Sequence, residues 1–563
     1  PALLTEAAAA RQALAAARIG GEWWQGGADE LPAGDGWAVV ALAVDSLDPG
    51  PIPDDRVLCA MLDTALADNP ADRVVILMPD AVGRIVKSSL ADAAARGATV
   101  IKRPLDPWLV FERAARVYSA GDETGFLALA AGIPVTAFGS AFYTGWGVTE
   151  DAPGVPQHRF RRDVDEIFAG FCLVATRYRD PFRNKPATFA EIVAILADWR
   201  KAEQVNRGIA VCVGMSFWKR RRIAEFVRSS AGVPVFRRSV AGALAAARGR
   251  SAPPRAIAGW ASRLPDGLES AAARHGVPLI RVEDGFIRSV GLGSDFLPPA
   301  SLVFDSHGMY YDPRRPSELE TLLGEAEFGP ELVARATRLA ALLVTRGITK
   351  YNLAGSGAGI ELPAGSRRIL VPGQVEDDLS IEHGAGPVRT NLALLARVRT
   401  ANPDAFILYK PHPDVMAGHR KGAVPAAAAR RFADAVVPDG SIAQLLGLVD
   451  EVHTMTSLAG FEALLRGRRV VVYGRPFYAG WGLTDDQLPC DRARRLTLAE
   501  LVAGALILYP RYLDPVTRLP CGPEVVIERL DHPELWQAGP LVRARRLQGA
   551  LVRRLGEIRA MVS

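Results

Sequence analysis

Long apolar runs are missing from this chain. Nowhere in its 563 residues is there the stretch of roughly 18 or more hydrophobic residues that a membrane-spanning helix needs. Its N-terminus also lacks the basic, then apolar, then small-residue order of a secretory leader. Cysteine is scarce: Cys59, Cys172, Cys212, Cys490 and Cys521 show no CxxC spacing, so neither a zinc site nor a disulfide framework is implied, and a reducing, cytoplasmic setting is expected. A surplus of one charge is lacking too. The 67 basic and 62 acidic residues leave +5, which the tail at 541–563 carries alone, with Arg543, Arg545, Arg546, Arg553, Arg554 and Arg559 against Glu557. The overall balance of the remainder argues against a dedicated nucleic-acid binder. In the tail Leu547, Leu551, Leu555, Ile558 and Val562 recur at helical spacing, which suits a helix lying on an anionic bilayer or one docked on the body. What remains is an ordinary globular composition, 49% hydrophobic and 23% charged, in a chain long enough for about three or four domains.

The chain repeats itself. Residues 138–151 (FGSAFYTGWGVTED) lie over 473–486 (YGRPFYAGWGLTDD) at an offset of 335. The same offset pairs GFLALAAGIPV, from Gly125, with GFEALLRGRRV, from Gly460. Nearby offsets pair NPADRVVILMPD, from Asn69, with NPDAFILYKPHPD, from Asn402, and RYRDP, from Arg177, with RYLDP, from Arg511. Two copies of one module follow. The second is preceded by about 160 residues, 208–366, for which no counterpart is expected ahead of the first, so the first reads as half a module, or as one the chain enters part-way.

In the second copy RILVP (368–372), AFILY (405–409), EVHT (451–454) and VVVY (470–473) are short apolar runs separated by helical patterns, the signature of a doubly wound parallel sheet. The preceding segment reads alike, with IAVCVG, PVFRRSV, AIAGWAS and PLIRVED starting at residues 209, 234, 256 and 278. The expected class is α/β, with Rossmann-like domains facing each other as in the GT-B architecture and a degenerate half-module at the N-terminus. The boundaries run 1–200 (half-module), 201–366 (acceptor side), 367–530 (nucleotide side) and 531–563 (basic tail).

Ligands of such sheets bind beyond the carboxyl ends of the strands. After RILVP come Gln374, Glu376, Asp377 and Asp378, whose mutual repulsion suits a loop. After AFILY, two prolines hold Lys410 and His412 at the strand end, a donor pair suited to a phosphate leaving group. After EVHT, Thr456 or Ser457 can cap a helix whose first turn offers N–H groups to an anion, and Glu462 lies near the start of that helix, to complement its dipole or to bind ribose hydroxyls. After VVVY, the aromatics of 474–482 (GRPFYAGWG) are packing residues first. In the preceding segment Glu283 and Asp284 can act as base on an acceptor hydroxyl, and Arg288 can grip a carboxylate or form a buried ion pair. Asp305, Tyr310, Tyr311, Asp312, Lys350, Tyr351 and Asn352 are lesser candidates for the same cleft.

RVEDGFIRSVGLGSD, VPGQVEDDLSI, YKPHPDV, HTMTSLAGFEALL and YGRPFYAGWGLTDD together closely resemble the capsule polysaccharide export proteins of the KpsC type, over 208–520 strongly and 37–183 more weakly. The resemblance implies tandem GT-B modules that act as retaining β-Kdo transferases, taking the eight-carbon 2-keto acid sugar Kdo from CMP-β-Kdo and building an oligo-Kdo linker on a lipid acceptor. It makes Asp378 the nucleophile of a double displacement, gives the CMP phosphate to Lys410, His412 and Ser457 and the ribose to Glu462, and places Glu283, Asp284 and Arg288 on the acceptor side. It further implies no metal or other cofactor, a lipid-linked oligosaccharide acceptor, and a cytoplasmic protein peripheral to the inner membrane beside the capsule assembly and export proteins. The runner-up readings are transfer of another CMP-activated acidic sugar and a non-catalytic scaffold of that complex. In the first copy Ile76, Met78, Asp122 and Leu127 align with Lys410, His412, Ser457 and Glu462, and Asp45 or Asp48 lies near the nucleophile's place, so this copy is expected to be non-catalytic.

Overall fold

The structure, a computed structural model, describes residues 1–25, 31–42, 54–78, 84–158, 160–249, 254–289, 298–350, 363, 365–416, 418, 420–438, 440–490 and 492–532. Asp45 and Asp48, Tyr351 and Asn352, and the tail from residue 533 lie outside them. The chain divides into two compact units, Pro1–Val205 and Asn206–Ser563.

Each unit holds the same six-stranded sheet, parallel throughout. In the first unit the spatial order is Thr99–Ile101, Val74–Leu77, Trp37–Ala41, Ala114–Ser119, Val135–Ala137 and Glu150–Asp151; in the second it is Ala435–Val436, Phe406–Lys410, Arg368–Pro372, Glu451–Thr454, Arg469–Val472 and Asp485–Asp486. The central strands Trp37–Ala41 and Arg368–Pro372 are mainly apolar and almost wholly buried, as a parallel sheet covered by helices on each side requires, while Glu451–Thr454 is buried although three of its four residues are polar.

The repeat holds at the level of single hydrogen bonds. Tyr143 Oη donates to Asp122 O as Tyr478 Oη does to Ser457 O, at 2.8 and 2.5 Å. The indoles of Trp146 and Trp481 donate to Phe142 O and Phe477 O at 2.9 and 2.8 Å, and Gly145 N and Gly480 N donate to Asp151 and Asp486. The repeat also begins earlier than the sequence alone suggests. Helix Ala2–Ala17 ends with Arg18 at φ 56° and an Ile19 N to Leu14 O bond of 3.2 Å; helix Pro330–Thr345 ends with Gly347 at φ 62° and an Ile348 N to Leu343 O bond of 2.9 Å. Part of the segment expected to have no counterpart therefore has one. The cue is faint in sequence because only the αL turn and one buried isoleucine survive.

The second unit adds a seven-stranded sheet in the order Val235–Phe236, Ile209–Val213, Ala256–Trp260, Leu279–Asp284, Ser301–Asp305, Pro510–Leu513 and Pro520–Cys521. Its first four strands are parallel and the last three antiparallel, so this domain departs from the all-parallel expectation, and PVFRRSV contributes only two residues. Strands Pro510–Leu513 and Pro520–Cys521, assigned by the sequence boundaries to the nucleotide side, return to this sheet instead. One hydrophobic core, with Phe286 and Phe477 rings 4.7 Å apart, joins the two sheets of the unit. In the first unit the matching strand, Tyr178–Arg179, pairs among the described residues with Pro186–Ala187 alone. All five cysteines are free. Among the described residues no helix is long and apolar enough to cross a membrane.

Candidate active site

The loop after strand Arg368–Pro372 is built around Gln374 and Asn391. Buried Gln374 Oε1 accepts the N–H groups of Met455 and Thr456 and the hydroxyl of Thr454 at 3.1–3.2 Å, while its Nε2 donates to Thr456 Oγ1 at 3.0 Å. Asn391 Oδ1 receives Gln374 N and its Nδ2 donates to Gln374 O, each at 2.8 Å. Gln374 thus ties two strand-end loops together with its own amide. Asp378 follows as the cap of helix Leu379–Gly384, its Oδ1 accepting Ser380 N at 2.9 Å and Ser380 Oγ at 2.7 Å, with Oδ2 outside these bonds. Ser380 Oγ in turn receives Thr456 Oγ1 at 3.3 Å.

Lys410 and His412 leave the neighbouring strand. Lys410 Nζ donates to Pro438 O at 2.6 Å. His412 Nδ1 accepts Asp414 N–H at 3.2 Å, so Nε2 carries the proton of the neutral ring. Burial holds its pKa below the ordinary value, against the charge of Asp414. Ser457 caps helix Leu458–Leu465 through Ala459 N at 3.2 Å. In that helix Glu462 is buried, and its Oε1 accepts Lys350 N–H at 2.9 Å. Burial drives the carboxyl up to about 7, only partly offset by that bond.

The seven-stranded sheet presents a different set. Glu283 and Asp284 end strand Leu279–Asp284. Asp284 Oδ2 accepts Arg288 Nε at 2.9 Å, and Lys219 Nζ lies 3.6 Å from Oδ1. Burial opposes ionisation of Asp284, but Arg288, Lys219 and Lys350 outweigh it and hold the group at about 2. Glu283, buried beside that fixed negative charge, is pushed up to about 7 by desolvation and by Asp284. The two adjacent carboxyls are thereby driven apart, Asp284 toward its ionised form and Glu283 toward exchanging a proton near neutrality. Arg288 is 1% exposed and also donates to Ser289 Oγ at 2.9 Å, so its guanidinium serves Asp284. Asp305 accepts from Tyr509 Oη, His307 N and Gly308 N, a structural role. Asp312 is paired with Arg314 at 2.7 Å.

The two sets meet. The charges of Glu283, Asp284 and Asp378 all act on the Tyr310 hydroxyl, and Lys350 and Asp378 both act on His412. A Cβ on Gly384 would lie 3.2 Å from Thr456 Cγ2 and 3.6 Å from Tyr311 O, so the backbones approach closely here. Lys219 escaped the sequence reading. Its cue was its place at the end of the loop that follows strand Ile209–Val213, just before helix Arg220–Val227; its ammonium is packed 3.4 Å over the Trp260 ring, and burial lowers its pKa.

The first copy keeps this scaffold and changes its chemistry. Leu42 N donates to Leu77 O as Gly373 N does to Lys410 O, so Leu77, rather than Ile76, stands in the lysine's place. The position of His412 then falls to Pro79, outside the described residues. Leu127 occupies the site of Glu462. Asp122 replaces Ser457 and caps helix Glu123–Ala130, accepting Gly125 N at 3.1 Å and Ser119 Oγ at 2.5 Å through Oδ1, while Oδ2 is buried without a hydrogen bond. Burial raises its pKa from 3.8 to about 6. The folded state then holds a proton the unfolded state has lost, so stability falls as pH rises from about 4 through 6. Asp122→Asn is expected to raise Tm at pH 8 and to change it little at pH 4, measured by scanning calorimetry at both.

Comparison with known proteins fits this architecture. Residues 53–175, 255–356 and 357–512 match the family described as capsule polysaccharide biosynthesis protein. The chain belongs to that family. Among curated family-like proteins, the capsule polysaccharide modification protein LipA of Neisseria meningitidis serogroup B is 39% identical over 481 residues, 84% of this chain and 67% of LipA. The lipopolysaccharide-processing protein LpsZ of Rhizobium meliloti is 44% identical over 266 residues, 46% of this chain and 60% of LpsZ. Among solved structures, Thermosulfurimonas dismutans KpsC, titled a beta Kdo 2,4 transferase, is 33% identical at a TM-score of 0.50, covering 57% of this chain and 97% of that one. This chain is a KpsC-type capsule protein with the GT-B glycosyltransferase fold.

Proposed function

We propose that the complete module is a retaining β-Kdo transferase that takes Kdo from CMP-β-Kdo and adds it to a lipid-linked Kdo acceptor in capsule biosynthesis. The observation that carries the reading is the opposition of two kinds of acid: Asp378, anchored through one oxygen at a strand end of the nucleotide side, and Glu283, a proton-exchanging carboxyl on the acceptor side. Family membership and the transferase title of the KpsC structure support the same reading.

In this reading an oxygen of Asp378 attacks the anomeric carbon, the bond from that carbon to the phosphate oxygen breaks, and the electron pair leaves with CMP. The acceptor hydroxyl then attacks the same carbon from the opposite side while Glu283 takes its proton, and Asp378 departs as carboxylate. Two inversions give retention. His412 donates Nε2–H to a phosphate oxygen, the helix N-terminus at Ser457 adds backbone N–H groups, and Lys410 contributes its charge. Glu462 is assigned to the ribose. Gln374 and Thr456 hold these loops in position. The phosphate is assigned to protein groups, with no metal.

Donor profiling tests this. Release of CMP is expected from CMP-Kdo in the presence of a Kdo-terminated acceptor, and not from CMP-sialic acid. Turnover of CMP-sialic acid alone would favour another acidic sugar, since the phosphate and ribose groups would serve either donor. No turnover of either would favour a scaffold.

A further inference from the structure

The near-neutral total charge conceals a strongly basic stretch. Residues 205–265 hold twelve arginines and lysines against one acid, Glu225, which is shared by Arg221, Arg222 and Arg518 at 3.7, 2.9 and 3.3 Å. This segment forms strands Ile209–Val213, Val235–Phe236 and Ala256–Trp260 with their flanking helices. Several of its cations gather at the carboxyl ends of those strands. Arg237 N donates to Cys212 O at 2.9 Å, setting Arg237 and Arg238 beside the loop that follows Val213. Arg263 Nη1 donates to Ser216 Oγ at 2.6 Å on the other side of that loop. Arg237, Arg238 and Arg263 are exposed, and the Arg221 side chain is 90% exposed. Among them stands Phe217, 69% exposed, and Val233 and Val235 of the same segment are exposed as well. Solvated arginines need no such apolar company. Aromatic and aliphatic side chains amid arginines match the headgroup layer of an anionic bilayer, where rings enter the acyl boundary and guanidiniums take phosphates.

We propose that this face, centred on Phe217, Arg221, Arg237, Arg238 and Arg263, docks the protein on an anionic phospholipid bilayer. Lys219, two residues beyond Phe217, reaches Asp284 in the acceptor side of the cleft, so docking here sets the mouth through which an acceptor enters against the lipid surface. The proposal goes beyond the transferase reading and does not depend on which sugar is transferred.

Vesicle flotation of the full chain tests it, using phosphatidylglycerol–phosphatidylethanolamine vesicles with phosphatidylcholine as control. Binding is expected to the anionic vesicles alone. The triple variant Arg221→Glu/Arg237→Glu/Arg238→Glu should weaken it at least about tenfold, and Phe217→Ser several-fold, with Tm unchanged in both. A third variant replaces the six tail arginines with glutamine and leaves the face intact; it should retain the salt-sensitive binding that the face substitutions weaken. The proposal is overturned if the triple variant floats like the parent, if only the tail variant loses binding, or if the face substitutions impair binding to a soluble anionic polysaccharide and spare the vesicles.

Discussion

Asp378→Asn is expected to cut sugar transfer by roughly three or more orders of magnitude, the scale on which loss of an enzymatic nucleophile acts, while leaving the fold intact. Asparagine keeps an Oδ1 to accept Ser380 N and Ser380 Oγ, and it caps helices about as well as aspartate, so Tm should move little. Alanine at the same place would also remove the cap, at a cost of about 1 kcal/mol. Comparing the two separates chemistry from folding: both variants should be inactive, but only Asp378→Ala should lose measurable stability. Initial rates of CMP release and a thermal melt on each variant check the pair. A Tm that collapses in Asp378→Asn would mean that the aspartate is held for structure.

Glu283→Gln should lower kcat by about 10² to 10⁴, the usual worth of a positioned general base, and should also remove a pH limb. With Glu283 raised to about 7 and Asp284 held at about 2, the base form of Glu283 accumulates as pH rises through neutrality. The rate of the parent should therefore climb to a plateau above about pH 7 and that of the variant should stay flat, as read from kcat/KM between pH 5.5 and 9. Stability should run the opposite way. A carboxyl whose folded pKa lies above its unfolded value of 4.5 costs the folded state nothing below pH 4.5 and progressively more up to about pH 7. Glu283→Gln should accordingly melt higher than the parent at pH 8 and near it at pH 4.5. A loss of activity with unchanged pH dependence would assign the base elsewhere.

Some of this site was legible in the chain and some was not, for physical reasons. RILVP becomes a strand with the expected ends, because a short apolar run bounded by polar residues leaves little freedom. The rule that ligands gather beyond strand ends points to the loops that carry Asp378, His412, Ser457 and Glu283, and only the family resemblance singles out Asp378 from the acids beside it. Partnerships were not legible. Gln374 looked like a ligand for substrate until its amide proved to bind Thr454, Met455 and Thr456, residues about 80 positions away. Arg288 looked able to grip a substrate carboxylate but lies buried on Asp284. Lys219 opens a run of four basic residues that carries no sequence cue to a partner, and only the fold brings it to Asp284 and Trp260. The register of the first copy slipped by one residue because VVIL and FILYK align almost equally well at either offset, and only the ladder bond from Leu42 to Leu77 fixes it.

The central claim, a double displacement through Asp378, is tested most directly by intact mass spectrometry of the protein incubated with CMP-Kdo generated in situ, without acceptor, beside the Asp378→Ala variant. The account predicts a covalent adduct of one Kdo, mapped by proteolysis to Asp378 and absent from the variant, which is chased off by a Kdo-terminated acceptor. An adduct on another residue, or one that persists in Asp378→Ala, would contradict it.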